Sequence, residues 1–368
     1  MAASGTATFP LVEVRGNRRE LGRQHGEACR AQIHVYAALL AALLARDGSN
    51  QLPGVRQRCS PDELAQRALR FLPAFDRFAP HLVEEIRGIA EGADVPFATA
   101  LLVNVRAEVG GLGTAVGGDG CTAFALRQPG ADARQVLVGQ NIDQTPEMED
   151  LAVVLRVRPD DAPPAVMVTF GGLVGYPGLN ADGVCFVQNQ LANGRWRPGL
   201  PHYPLKRVLL EQRTLAGCLA AFDRAELASS GNYVLADGTG ALLDVEATPD
   251  GYATLPPDAG AVIHTNHFRS PTFAPQERLL QRLPDSATRY ERARGLCARS
   301  GGTASLATLQ AWLRDHAGGP TAICRHDANA ADQPMQTIWS VIAEPGRGLL
   351  HVARGNPCQG EYVAYPAA

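Results

Sequence analysis

The chain has 368 residues, of which 45% are hydrophobic and 19% charged, and its 34 basic and 37 acidic residues give a formal charge of −3. That balance describes an ordinary globular protein with material for a large core, and 38 glycines with 26 prolines fall short of a disordered, low-complexity composition. Near-neutral charge and an isoelectric point near 6.3 exclude the basic footprint of a nucleic-acid binder; Lys206 is the sole lysine, so arginine carries nearly all positive charge.

The first ten residues lack both a basic start and an apolar core, so no secretory signal is expected and the cytoplasm is the default location. A β-like start at Leu11 to Val14 is followed by two helix starts, Asn17 with Glu20 and Ser60-Pro61-Asp62-Glu63. In each, a side-chain oxygen can satisfy an orphan N–H while the acid reaches back. The longest apolar run, Val35 to Ala45, is too short for a bilayer span and reads as a buried helix. Further helices are predicted over Pro80 to Glu91, stopping near Gly92, and over Pro96 to Val105. Gly110 to Gly120 is then too rich in glycine for a helix or strand interior.

Beyond Cys121 the pattern turns strand-like: Thr122 to Leu126, Gln135 to Asn141, Ala152 to Arg158, Ala165 to Phe170 and Gly183 to Gln190. Asp237-Gly238-Thr239-Gly240 and Pro345-Gly346-Arg347-Gly348 each join two apolar runs as hairpin turns. Helices return at Leu205 to Arg213, Leu215 to Arg224, Pro275 to Leu283, Ser286 to Ala298 and Ala304 to Arg314. Helices and hairpins in blocks predict an α+β fold with antiparallel sheets.

Several familiar sites fail on inspection. The glycine-rich stretch places Val116 where a dinucleotide fold needs its third glycine, and there is no phosphate loop and no G-x-S-x-G elbow. The eight cysteines form no CxxC pair, and most read as core thiols, so the sequence assigns no zinc ribbon and no disulfide framework. His264 and His267, three apart, offer a metal-dependent alternative but lack the glutamate of a zincin. What remains is Gly120-Cys121-Thr122, where a flexible loop enters the first strand of a β-rich segment.

Around that cysteine the sequence resembles a family nearly end to end. The resemblance runs through Arg19-Glu20-Leu21-Gly22-Arg23-Gln24-His25-Gly26, Glu84 to Ala93, Asn104 to Glu108 and Asp119-Gly120-Cys121-Thr122. It continues through Gly139-Gln140-Asn141-Ile142-Asp143, His264-Thr265-Asn266-His267, Leu283 to Ser286 with Arg289, and Ile323-Cys324-Arg325. The family is that of self-processing N-terminal-nucleophile (Ntn) cysteine hydrolases that includes fungal acyl-coenzyme A:6-aminopenicillanic acid acyltransferase. It implies a four-layer αββα sandwich with an N-terminal helical segment, made as an inactive precursor. The chain would cut itself at Gly120–Cys121 into residues 1–120 and residues 121–368, which stay associated as one structural unit. Cys121 is then both nucleophile and N-terminus.

Carried over by position, the resemblance places the Asn266 amide in an oxyanion hole and gives Asp143 and Arg325 roles in processing and catalysis. The lesser alternative for the Asp143–Arg325 pair is a structural salt bridge. Thr122 is either a hydrogen bond to the scissile region or only a strand residue, and Asp119 is a supporting residue beside the break. The expected activity is hydrolysis or transfer of the acyl group of a small N-acyl amide through a Cys121 thioester, with hydrolysis favoured because water is the default acceptor. No metal or organic cofactor, nucleic acid or membrane is implied; a coenzyme A thioester is one acyl donor the resemblance allows for transfer, and nothing in the sequence identifies a coenzyme A pocket. Ala123 and Ile142 depart from the fungal pattern, so substrate choice does not transfer with the resemblance, and Tyr365 to Ala368 is no peroxisomal signal. The competing reading is an uncut, catalytically silent binding protein of the same fold.

Overall fold

The computed structural model describes residues 8–45, 60–109, 120–130, 135–327 and 334–368. Most of the glycine-rich stretch, Asp119 included, lies outside them. The N-terminal part runs β1 (Leu11–Gly16), α1 (Arg18–Ala28), α2 (Arg30–Ala45), α3 (Pro61–Leu69), α4 (Leu72–Phe78), α5 (Pro80–Ala93), α6 (Phe97–Asn104) and α7 (Arg106–Val109). Both expected capping boxes form. Asn17 and Glu20 cap α1, and Ser60 and Glu63 cap α3, each pair exchanging side-chain and backbone hydrogen bonds.

Helices α1 and α5 meet backbone to backbone. A Cβ on Gly22 would lie 1.9 Å from the Glu85 carbonyl oxygen, and one on Gly88 would lie 2.2 Å from that of Arg19. Gly92 belongs to the same contact, where a Cβ would meet the Arg23 carbonyl oxygen at 2.1 Å. It therefore sits inside α5 instead of stopping it, and the left-handed residue after the helix is Asp94, with φ 57°. α2 buries only one face, through Ile33, Tyr36 and Leu40, while Val35 is 57% exposed. The helix read as buried is thus buried on one face only among its described side chains, because the apolar run sits on an outer layer of the fold.

The remainder continues with β2 (Gly120–Arg127), β3 (Val136–Gln144), β4 (Ala152–Pro159), β5 (Ala165–Phe170), β6 (Gly178–Asn180), β7 (Cys185–Gln190), α8 (His202–Leu210) and α9 (Leu215–Arg224). Then come β8 (Gly231–Ala236), β9 (Leu242–Thr248), β10 (Gly251–Leu255), β11 (Val262–His264), α10 (Asp285–Arg299) and α11 (Leu306–Leu313). The chain ends with β12 (His326–Asp327), β13 (Met335–Glu344), β14 (Leu349–Arg354) and β15 (Val363–Pro366). α8 starts earlier than expected because the Glu108 carboxylate accepts from the His202 N–H at 3.0 Å, and Pro204 in the first turn forfeits no intrahelical bond. The helix expected over Pro275 to Leu283 does not form. Only a 3-10 turn at Ala274–Gln276 appears, and the Glu277 carboxylate accepts from the backbone N–H groups of Phe268, Leu279 and Leu280 in place of a helical ladder.

Two sheets stack face to face. One has the order β1-β4-β5-β6-β7-β8-β9-β10, the other β11-β2-β3-β13-β14-β15, with β12 on β13. β2 and β3 lie against β7 and β8, and β14 lies against β5 and β6. Alternation along β2 makes the layering visible. Cys121, Ala123 and Ala125 belong to the core between the sheets, whereas Phe124 and Leu126 join Ala293, Cys297, Leu309 and Trp312 of α10 and α11 in a second core outside. With α1, α8 and α9 against the first sheet, the order of layers is helix, sheet, sheet, helix, an α+β sandwich. Among the described residues no helix is long and apolar enough to cross a membrane.

Candidate active site

Gly120 and Cys121 are the first two residues of β2, held between β11 and β3. The register sets Gly120 opposite Asp143, Cys121 opposite Ile142 and Thr122 opposite Asn141. Because side chains alternate, Cys121 enters the space between the sheets while Thr122 and Asp143 face the α10 side. Cys121 is buried, 2% exposed in the unbroken chain. Gly120 is tight: a Cβ there would lie 2.9 Å from Asp143 Oδ2 and 3.1 Å from Met335 Sδ.

The loop after β11 brings Asn266 to the cysteine backbone. Asn266 Oδ1 accepts from the Cys121 N–H at 2.8 Å, and its Nδ2 donates to the Gln190 carbonyl at 3.3 Å. Ser286, at the start of α10, fixes that loop by accepting from the Asn266 N–H at 2.7 Å. One turn further on, the buried Arg289 spreads its fork over the same centre. Its Nη1 donates to the Cys121 carbonyl at 2.6 Å and to the Thr122 hydroxyl at 2.9 Å. Nη2 reaches Asn266 Oδ1 at 3.0 Å, and Nε reaches Asp285 at 2.8 Å. A planar guanidinium suits this task because its donors are held at fixed angles.

Asp285 also accepts from Arg325, whose Nε stands 3.5 Å from Asp143 Oδ2. Thr337 on β13 donates to Asp143 Oδ1 at 2.7 Å and accepts from the Arg325 N–H at 2.9 Å. Two arginines and two aspartates thus alternate in a line, Arg289, Asp285, Arg325 and Asp143, beside the Gly120–Cys121 peptide, with Asp327 3.9 Å from Arg325 at its margin. Burial nevertheless pushes the Asp143 carboxyl up to about 6, against the pull of Arg325 and Arg289. Asp285 is less enclosed and touches both arginines, and its carboxyl is held below the usual range.

Of the residues singled out in the sequence, Cys121, Thr122, Asp143, Asn266 and Arg325 converge here together with Gly120; Asp119 lies outside the described residues. Thr122 bonds Arg289, which favours more than a bare strand position. Arg289, Asp285, Ser286 and Thr337 carried no assigned role. Asp285 and Arg289 belong to a motif of the resemblance, and their spacing of four on a helix is the physical signal that marks them as a pair in advance.

The histidine pair goes elsewhere. His264 Nδ1 donates to the Thr265 carbonyl at 2.8 Å and Nε2 meets Glu246 at 2.9 Å. Both nitrogens face acceptors, so the ring holds both protons and has no lone pair for a metal, and the neighbouring Asp244 and Glu246 raise its pKa against the opposing effect of burial. His267 instead rests 2.9 Å from Ser286 Oγ and is pushed down to about 4 by burial and by His264.

The class of the chain comes from its family. The family model described as acyl-coenzyme A:6-aminopenicillanic acid acyl-transferase matches residues 130–359, and the chain belongs to that family. Among characterised relatives it is similar to the 40 kDa form of acyl-coenzyme A:6-aminopenicillanic-acid-acyltransferase from Emericella nidulans. The two are 26% identical over 348 residues, 94% of this chain and 92% of the relative. Solved structures resembling it include a variant of conjugated bile acid hydrolase from Clostridium perfringens, with TM-score 0.44 and 12% identity, covering 67% of this chain and 97% of that one. Penicillin V acylase from Agrobacterium tumefaciens overlaps with TM-score 0.41 and 16% identity over 64% of this chain and 83% of its own. Both superpositions are loose.

Proposed function

We propose that the protein is an acyltransferase or amide hydrolase of this family that activates itself by cutting Gly120–Cys121 and then acts on a small N-acyl amide through a Cys121 thioester. The observation that carries the reading is the shell around the scissile peptide: Asn266 on its Cys121 N–H, Arg289 on the carbonyl of the following Cys121–Thr122 peptide, and Asp143 against Gly120.

In the first step the Cys121 sulfur attacks the Gly120 carbonyl, the C–N bond breaks, and the thiol proton passes to the departing amine. Water then hydrolyses the thioester, leaving a carboxylate on residue 120 and a free thiol and α-amino group on residue 121. Lacking a Cβ, Gly120 leaves its carbonyl open to attack. An α-amino group with an ordinary pKa of ~7.7–8.0 is partly free base at neutral pH, so cleavage creates the base that takes the thiol proton. Asn266 Oδ1, already bonded to this nitrogen, keeps the new amine in place. The Asn266 amide NH2, engaged by a long bond to Gln190, is the oxyanion donor on turning to the acyl oxygen. Arg325 and Asp143 order the strand end. Water resolves the acyl-enzyme by default, and an amine resolves it where transfer operates.

The test is denaturing mass spectrometry of fresh wild type and of Cys121→Ala. Wild type should give fragments of roughly 13 and 26 kDa, in proportion to residues 1–120 and 121–368, and the variant one intact chain. Processed enzyme should show a burst with an activated ester. Wild type that stays whole would favour the silent binding protein, and processed enzyme without a burst would remove the thioester.

A further inference from the structure

The cysteines are scattered in sequence but not all in space. Beyond α11, the ligand atoms of His316, Cys324, His326 and Cys358 all lie within 4.8 Å of one another. His326 Nε2 is the hub, 3.1 Å from His316 Nε2, 3.5 Å from Cys324 Sγ and 3.3 Å from Cys358 Sγ. Around a tetrahedral zinc ion, with bonds of about 2.3 Å to sulfur and about 2.0–2.1 Å to nitrogen, two nitrogens lie about 3.3 Å apart and a nitrogen and a sulfur about 3.5 Å apart. The three spacings to His326 match within a few tenths of an ångström, and the other three lie within 4.8 Å. Two thiolates with two imidazoles in this geometry select zinc over the oxygen-seeking cations.

We propose that His316, Cys324, His326 and Cys358 bind one zinc ion in a closed, structural site. Binding displaces the two thiol protons to solvent, so two thiolate charges balance the ion, and both imidazoles bind neutral through Nε2. With four protein donors no position is left for a reactive water. An outer layer is in place: Asn356 Nδ2 lies 3.7 Å from Cys324 Sγ and donates to the Arg325 carbonyl at 2.7 Å, while the Cys324 N–H donates to the Asp315 carbonyl at 2.9 Å.

The ion would tie together three separate pieces of chain: the turn after α11, the arm Ile323 to Asp327, and the turn around Cys358 after β14. β12 pairs with β13 over only two residues, and the arm is otherwise pinned at Arg325, whose N–H donates to Thr337 and whose guanidinium meets Asp143 and Asp285. Cys324 and His326 flank Arg325, so the ion fixes both neighbours of the residue that faces Asp143 and Asp285. The site is independent of the proposed activity, and its test reads metal, not turnover.

Protein expressed with zinc, purified under nitrogen without chelator and desalted, should carry one zinc per chain by elemental mass spectrometry, in wild type and in Cys121→Ala alike. Cys358→Ser and His316→Gln, at half-buried and exposed positions, should keep the wild-type circular dichroism and lose the metal. Cobalt in place of zinc should give the visible absorption of a tetrahedral ion with a thiolate charge-transfer band, absent from Cys358→Ser. The proposal is overturned by wild type that retains no zinc after soaking and desalting, by undiminished zinc in both variants, or by a peptide map joining Cys324 to Cys358 in a disulfide.

Discussion

Replacing Asp143 by Asn, in the Cys121→Ala background so that the chain stays whole, separates what this carboxylate does for the fold from what it does for chemistry. Its carboxyl is pushed up to about 6 because burial outweighs Arg325 and Arg289. A carboxyl raised in the folded state stabilises the protein below its unfolded pKa, and that contribution is lost as pH rises through the folded value. From the ordinary carboxylate value to about 6, the ionised form carries a penalty of about 1 kcal/mol at about pH 4.5 and about 3 kcal/mol at about pH 7.5. Asn cannot ionise, so its stability relative to Asp should rise by about 2 kcal/mol between those pH values. Any mismatch of the new NH2 against Arg325 is the same at both pH values and cancels. Urea unfolding of the two proteins at each pH measures the difference. A flat or falling difference would refute the reasoning and mean that the arginines hold Asp143 ionised at no net cost. With Cys121 restored, the same substitution should slow self-cleavage.

Two further predictions test the surroundings. Arg289→Lys keeps the charge but cannot span Asp285, Asn266 and the Cys121 carbonyl together, so self-cleavage should slow by about 10- to 100-fold, consistent with ~1.5–3 kcal/mol for a charged hydrogen bond. A wild-type cleavage rate would show that the fork is not used. Gly88→Ala drives a Cβ into the Arg19 carbonyl and should destabilise the fold by about 3 kcal/mol or more, read as a lower urea midpoint with an unchanged slope.

What the sequence made legible was local. Asn17 and Ser60 cap their helices through partners three residues away, and the glycine turns at 237–240 and 345–348 join neighbouring strands, so short-range chemistry decides them. The helix expected over 275–283 failed because Glu277 makes the local bonds a helix would need and Arg278 donates its N–H to the distant Ala192 carbonyl. Gly92 looked like a stop but is a contact, since only α1 in three dimensions requires it. Cys121, Asn266 and Asp143 stood out by residue type and motif. Arg289 stood in a motif without a role and Thr337 stood in none, because their meaning arises only when β13 and α10 are folded onto β2 and β3. The His316, Cys324, His326 and Cys358 quartet escaped for the same reason: its members come from three chain segments with no CxxC spacing between them.

β1 forms one border of the eight-stranded sheet, pairing in parallel with β4 over six residues from Leu11 to Gly16. Glu13 reinforces the seam with Arg156, and Phe9 stacks edge-on against Trp339 of the other sheet. A cut at Gly120 would therefore sever the thread and leave the weave intact: one polypeptide would lend the hem of a sheet belonging to the other. Such a pair comes apart only by tearing the seam between β1 and β4. The larger piece made by itself would bare β4 as a raw edge open to self-association, so separately expressed halves should yield soluble protein only when they are folded together.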